Sequence, residues 1–375
     1  MIVVVMGDDQ GQEIHNYRVF ERPGQFRLAA LRDSRFLVAF QDLNRDFAYQ
    51  STEPAVWYDL SGSAIGRDDV TDIVLDLKGP AARPLPPALE KLFELRGNSL
   101  GKIDVQLGKV VSLDDERFSR ESAAMSMWEP IGFMKAGRAG IFFLEPYDPA
   151  KTPVLFVHGI NGTGRNFESM IRHLDRQRFQ PWVLNYPSGM DLRALGDGLV
   201  GLLAELRHRY GFSKMHFVAH SMGGLMVREY LAECVRTNSC DYAGNFVSIS
   251  SPYGGVANME LWLDFARVVM PAWRNLVAEG PFLKSLFALP LPAGVRHTML
   301  ISYRNTSSFS RDSSDGVIPL KSQFRLDAQR QAVAIRGFDE DHVSILRSAE
   351  VHSEVNQALL ANDFVPPAAR TGNAR

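Results

Sequence analysis

The residues best suited to chemistry lie in Met215-His-Phe-Val-Ala-His-Ser-Met-Gly-Gly-Leu225. An apolar β-run ends at Ala219, Ser221 stands two residues on, and a helical pattern begins beyond Gly223-Gly224. A strand that turns sharply into a helix exposes the residue at its apex. Small side chains are needed two before and two after that residue, where the turn presses on neighbouring backbone. Ala219 and Gly223 meet that demand. A serine hydroxyl held there is a weak nucleophile until a base takes its proton, and the helix N-terminus that follows adds a favourable field. The competing reading is a serine that caps an ordinary helix, with the two glycines serving only helix–strand packing.

Alanine stands where the commoner Gly-x-Ser-x-Gly pattern has its first glycine. In this form the segment resembles the Ala-His-Ser-Met-Gly variant of bacterial lipases and esterases in the α/β-hydrolase superfamily. A second segment, Val154-Leu-Phe-Val-His-Gly-Ile-Asn-Gly-Thr-Gly164, runs from a buried strand into a glycine-rich turn. In that superfamily the loop after this strand gives one backbone N–H to the oxyanion of a tetrahedral intermediate, and the residue after the nucleophile gives the other. Carried over by position, the resemblance implies the amides of Ile160 and Met222 as the oxyanion hole. His158 reads as a brace for this loop rather than as a base. Gly159-Ile-Asn-Gly-Thr-Gly164 lacks the Lys-Ser/Thr of a phosphate-binding loop.

The superfamily's chain order is serine, acid, histidine. Asp315-Gly-Val-Ile-Pro319 resembles the acid loop of lipases, and Asp315 is preferred to Asp312, which has no glycine and apolar residues after it. Gly337-Phe-Asp-Glu-Asp-His342 places a histidine just before the last helical pattern, where the base belongs; His352 lies within that helix and reads as a packing or surface residue. The roles implied are attack by Ser221, proton transfer by His342, and orientation of the imidazole by Asp315. Asp339, Glu340 and Asp341 read as capping and solvating residues. The expected reaction is hydrolysis of a carboxylic ester through an acyl-enzyme. The same residues would serve an acyltransferase or a phospholipase, and a further alternative is a non-catalytic surface-binding protein on a hydrolase scaffold.

Two other segments invite a reading. Residues 256–297 form an insertion rich in apolar side chains, placed where this superfamily carries caps, and Leu261, Trp262 and Phe265 are candidates to line an acyl pocket. The alternative is a set of plain core helices. Asp42-Leu-Asn-Arg-Asp-Phe-Ala-Tyr-Gln-Ser-Thr-Glu53 spaces Asp42, Asn44, Asp46 and Glu53 like the ligands of an EF-hand calcium loop. Phe47 replaces the usual central glycine, however, so a polar turn is the favoured reading. The chemistry implied needs no cofactor, and a structural calcium at this loop is the one metal the sequence suggests.

The elements that must position these residues fall into three stretches. Residues 1–77 alternate short strand patterns (Ile2–Met6, Tyr17–Phe20, Gln25–Leu28, Phe36–Phe40, Ala55–Tyr58, Ile73–Leu75) with turn-formers, which suggests a small β-sandwich. Arg22-Pro-Gly-Gln-Phe-Arg-Leu28 and Phe36-Leu-Val-Ala-Phe-Gln-Asp42 resemble transthyretin-like modules. Residues 78–124 read as a junction, with four prolines between Gly79 and Pro87 and a short helix near Ala88–Leu95. Residues 125–375 alternate strand patterns (Val154–Val157, Trp182–Asn185, Met215–Ala219, Phe246–Ile249, Thr298–Ser302, Ala332–Ile335) with helical stripes such as Phe167, Met170, Ile171 and Leu174. Such alternation predicts an α/β fold with a mostly parallel sheet covered on both faces.

Composition sets the outer limits. The 375 residues are 45% hydrophobic and 22% charged with formal net charge −2, so no basic face points to nucleic acid. No apolar run is long enough to span a bilayer. Expected partners are an ester or lipid substrate, with peripheral contact at a lipid surface in prospect; the oligomeric state is not legible. A chain that opens in mid-strand fits an exported protein whose leader is absent from it, with a cytoplasmic location as the alternative. Cys234 and Cys240 either close a small loop or remain two thiols.

Overall fold

The computed structural model describes residues 2–7, 14–20, 22–26, 28, 30, 34–43, 49–61, 70–78, 105–256, 259–266, 268–305 and 313–361. The short helix expected near Ala88–Leu95 lies outside the described residues.

Two sheets organise the chain. The first holds β1 (Ile2–Gly7), β2 (Ile14–Phe20), β3 (Phe36–Gln41) and β4 (Ala55–Asp59) in the order β2-β1-β3-β4, antiparallel throughout. Val4, Met6, Leu37 and Ala39 join Phe20, Val56 and Leu60 in one apolar cluster, while the alternate residues Val38 and Phe40 are buried on the other face of β3. Phe26, Leu28, Ile73 and Leu75 pack onto that cluster from segments expected to be strands, and Leu77 packs beside them. Those segments carry no strand pairing among the described residues. Their apolar side chains satisfy the patterning rule by covering the sheet, not by extending it.

The second sheet has eight strands in the order β12-β11-β10-β9-β7-β8-β6-β5. They are β5 (Gln106–Val110), β6 (Gly140–Phe143), β7 (Thr152–Val157), β8 (Phe179–Asn185), β9 (Met215–His220), β10 (Ala243–Ile249), β11 (His297–Ser302) and β12 (Ala332–Phe338). Every neighbouring pair is parallel except β6 with β8. β5 arises inside the stretch read as a junction, and β6 in one with no strand expectation. Both are short and sit at or near one edge, where the sequence signal is weakest.

Both faces of the central strands are buried, which explains their continuous apolar runs. Leu155 and Val157 of β7 point into a cluster with the helices Leu192–Tyr210 and Met222–Arg236, while Val154 and Phe156 point into one with Phe167, Met170 and the closing helix Ala349–Leu360. Each such side chain contributes about 1.5–3 kcal/mol by burial, and a one-residue slip of β7 would exchange the two sets between clusters packed to fit them.

The small sheet rests on the outer side of helix Leu192–Tyr210. Tyr17 Oη donates to Glu205 Oε2 at 2.5 Å, Arg18 pairs with Asp197, and Arg22 reaches Asp241 at 3.1 Å. Cys234 and Cys240 form a disulfide that closes the turn between helix Met222–Arg236 and β10. Among the described residues no helix is long and apolar enough to cross a membrane.

Candidate active site

β9 ends at His220 and the helix Met222–Arg236 starts at once, so Ser221 alone makes the turn, at φ 54° and ψ −129°. A left-handed serine costs on the order of 1–3 kcal/mol and persists only where its surroundings hold it. Here Ser221 N donates to Ile249 O of β10 at 2.8 Å, and Gly224 N donates to Ser221 O at 3.0 Å. The demand for small neighbours is also explicit. A Cβ on Gly223 would meet the carbonyl oxygens of Val157 and His158 at 2.4 and 2.5 Å, both of them backbone with no room to give.

Ser221, His342 and Asp315 come together from three separate loops. His342 Nε2 lies 3.0 Å from Ser221 Oγ, and His342 Nδ1 lies 2.8 Å from Asp315 Oδ2. All three residues are buried. Asp312 is outside the described residues, whereas Asp315 reaches the imidazole directly. Asp315 Oδ1 accepts the amides of Val317 and Ile318 at 3.0 and 2.7 Å, the tight turn that Gly316 permits at φ 90°. Burial by itself would raise the Asp315 pKa. The hydrogen bond and charge of His342, the Ile318 amide and the Ser302 hydroxyl outweigh it and hold the carboxyl below the usual aspartate range.

The glycine-rich loop after β7 lies directly on the serine. A Cβ on Gly159 would come within 2.8 Å of Ser221 Cβ. The amides of Ile160 and Met222 donate to no group among the described residues. The loop is braced from below: Asn161 N donates to Ser188 Oγ at 3.1 Å, Ser188 pairs with Ser126, and Tyr186 Oη donates to His158 O at 2.7 Å. His158 is buried, stacks on Tyr186 and directs Nδ1 to Gly159 O at 2.8 Å. Burial pushes its pKa down to about 4, so it sits in the loop as a neutral ring.

Four residues around this site carried no signal of a role. His220 directs Nε2 to the carbonyl of His342 at 2.8 Å, and burial together with the neighbouring His342 pushes its pKa down to about 3. Ser302 Oγ donates to Asp315 Oδ2 at 2.7 Å, Gln323 Nε2 donates to the same oxygen at 3.2 Å, and Ser250 Oγ lies 2.6 Å from Ser302 Oγ. His220 stood in view inside the serine motif, but nothing local says where its ring will point. The other three become neighbours of Asp315 only through the parallel sheet order.

The remaining candidates fare differently. Leu261 and Trp262 belong to helix Met259–Phe265, but their side chains are outside the described residues. Phe265 is 85% exposed, so it lines no enclosed pocket in this conformation. Further along the insertion, Ala272, Leu276, Phe282, Leu283 and Leu286 are buried in the main core, as plain packing helices would be. His352 directs Nε2 to Leu346 O at 3.0 Å, away from the serine site. Of the calcium-loop candidates, Asn44 and Asp46 are outside the described residues. Asp42 is buried, and Glu53 accepts the amides of Leu43 and Gln50 at 2.6 and 3.0 Å, the bonding of a polar turn. Among the described residues no group of three or more His, Cys, Asp or Glu side chains is arranged to hold a metal.

No curated protein matches this sequence. The mature lipase BlEst2 of Bacillus licheniformis is similar in structure at 22% identity and TM-score 0.48, over 59% of this chain and 97% of that one. Lipase B of Aspergillus fumigatus is similar at 15% identity and TM-score 0.46, over 59% of this chain and 56% of that one. For phospholipase PlaB of Legionella pneumophila the values are 15% and 0.37, over 46% of each chain. The model of the family described as alpha/beta hydrolase fold matches residues 152–289, from β7 through the serine turn. Joined to the strand order of the large sheet and the turn at Ser221, that match identifies the large sheet and its helices as an α/β-hydrolase fold.

Proposed function

We propose that this protein hydrolyses carboxylic esters by nucleophilic catalysis at Ser221. The observation that carries the reading is the continuous hydrogen-bonded line Ser221–His342–Asp315, with separations of 3.0 and 2.8 Å. Nε2 of His342 takes the hydroxyl proton as Oγ attacks the carbonyl, and Asp315 holds the imidazole by Nδ1 and stabilises the imidazolium. The amides of Ile160 and Met222 receive the developing oxyanion. The proton then passes to the leaving alcohol, and water activated by His342 releases the acid.

Apolar surface near this line supports a water-insoluble acyl chain over a small polar one. Val317 and Val343 are exposed on the very loops that carry Asp315 and His342, and Phe265 and Val268 are exposed on the insertion. The same surface supports peripheral contact with a lipid interface. A disulfide between Cys234 and Cys240 supports an oxidising, exported location.

A panel of p-nitrophenyl esters from acetate to palmitate, run with wild type and Ser221→Ala, tests the reading. Turnover should be greatest beyond acetate and fall by at least about 10⁴-fold in the variant. Equal turnover by the two proteins would defeat it.

A further inference from the structure

Asp315 Oδ2 is the atom on which the histidine depends, yet His342 is not its sole donor. Ser302 Oγ at 2.7 Å and Gln323 Nε2 at 3.2 Å bind the same oxygen as His342 Nδ1 at 2.8 Å. Behind Ser302 stands Ser250, 2.6 Å away. A hydroxyl has one proton, and Ser302 commits its own to the carboxylate, so Ser250 must donate to Ser302. Ser250 occupies the left-handed region at φ 50°, the first residue past β10. Gln323 completes the frame: its Oε1 accepts Ser302 N at 3.2 Å and its Nε2 also reaches Ser302 O at 2.9 Å. Ser250, Ser302, Gln323 and Asp315 are all at most 1% exposed, so these bonds lie away from bulk solvent.

A serine at a strand end could satisfy its hydroxyl on any nearby carbonyl. Ser302 instead binds the oxygen that His342 uses, held there from both sides. We infer that Ser302, oriented by Ser250 and framed by Gln323, is a positioning residue that fixes Asp315 Oδ2 and sets how much of its negative charge His342 receives. This rests on the reading that Ser221, His342 and Asp315 carry out hydrolysis. The three donors on one oxygen divide its charge. Removing Ser302's donor leaves more for the imidazolium, so His342 should hold its proton to higher pH. Among the described residues, the other ionisable groups near the pair have settled partners, and His158 is a buried neutral ring. His220 is a neutral donor to His342 O, Asp341 accepts the amides of Val343 and Ser344, and Asp339 and Glu340 pair with Arg304.

The test compares wild type with Ser302→Ala by two readouts. One is the pH dependence of the proton NMR signal of the His342 Nδ1–H, which needs no substrate. The other is kcat/KM against pH with p-nitrophenyl butyrate. Both midpoints should move upward together in the variant by about half a pH unit, while kcat on the alkaline plateau falls by less than about tenfold. Ser302→Cys, a weaker donor of similar size, should lie between. An unchanged midpoint, or one displaced to lower pH, in variants that melt like wild type overturns the proposal. If the alanine variant does not fold, Ser302→Cys and Ser250→Ala carry the same comparison. A wild type that gives the NMR titration but no ester turnover would defeat the hydrolase reading while leaving the Ser302 effect on Asp315 measurable.

Discussion

His220 directs its Nε2 to the main-chain carbonyl of His342 at 2.8 Å, so the residue just before the serine holds the loop that delivers the imidazole to it. The backbone N–H of His342 donates to Asp315 O at 3.0 Å. His342 is therefore tied by its backbone to the serine turn on one side and to the acid loop on the other. Its side chain then spans the same two partners. Neutrality of His220 is built in, because burial and the adjacent imidazole place its pKa at about 3 and leave Nε2–H as a fixed donor.

Replacing His220 with alanine should strand a buried carbonyl, costing about 1–3 kcal/mol of stability. The His342 loop would lose its register with Ser221, and kcat should fall about ten- to a hundredfold with KM within about twofold. His220→Gln, which can still donate, should recover part of the loss. Thermal melts alongside steady-state kinetics separate the two effects. A His220→Ala enzyme of full kcat would show that the acid loop alone places the imidazole.

Gly159 offers a sharper probe of the loop over the serine. A Cβ there would lie 2.8 Å from Ser221 Cβ and 3.3 Å from Ser221 Oγ. The Ser221 Cβ cannot retreat, since the serine backbone is pinned to Ile249. Gly159→Ala should therefore lift the loop and the Ile160 amide away from the position of the oxyanion. Losing one such donor costs about 10²–10³ in rate, and that is the fall in kcat expected. Labelling of Ser221 by a small fluorophosphonate should slow in parallel. Unchanged labelling and turnover would mean that the amide of Ile160 has no part in the reaction.

The contrast between these two residues explains what was legible in the sequence. Ser221, Gly159 and Asp315 announce themselves because local backbone geometry restricts the residues beside them, and such restrictions are written within a few positions. The apolar runs of β7 to β11 were equally readable, being buried on both faces. β5 and β6 were not, since strands of four or five residues carry little pattern. The donors to Asp315 and the target of His220 were hidden for another reason. Ser250, Ser302 and Gln323 meet across β10, β11 and the segment beyond Pro319, and only the sheet order brings them together. The exposure of Phe265 likewise depends on how the insertion packs, which periodicity does not report.

Acid should destabilise the fold well before aspartates titrate. His158, His220 and His297 are buried with pKa values pushed down to about 4, 3 and 3, each chiefly by burial. In the unfolded chain they bind a proton near pH 6.5. The folded state binds fewer protons below that value, so their contribution is complete above about pH 6.5 and is lost as pH falls toward the folded values. Each histidine adds a slope of about 1.4 kcal/mol per pH unit in that window. Asp315 acts in the same direction but lower, its contribution being lost only as pH falls below the ordinary aspartate range. Urea melts should be level above pH 7 and decline steeply from pH 6.5 to 5. His297→Gln should decline less steeply, and a level profile through pH 5 in wild type would contradict these burials.

The attachment of the small sheet to the rest of the fold turns on one ion pair more than on the other. Arg18 is 4% exposed and its partner Asp197 is 19% exposed, whereas Arg22 and Asp241 are 48% and 54% exposed. An exposed pair is worth about 0–1 kcal/mol. Removing one partner of a buried pair leaves a desolvated charge behind, and costs about 3–5 kcal/mol when burial is complete. Asp197 retains some solvent, so Asp197→Ala should lower stability by about 2–3 kcal/mol, against less than about 1 kcal/mol for Asp241→Ala. Because neither Asp197 nor Asp241 takes part in the hydrogen bonds linking Ser221, His342 and Asp315, kcat should be unchanged in both variants at temperatures where they remain folded. Urea unfolding of the two proteins side by side decides the point. Equal losses would mean that the Arg18 guanidinium keeps other partners strong enough to replace the carboxylate.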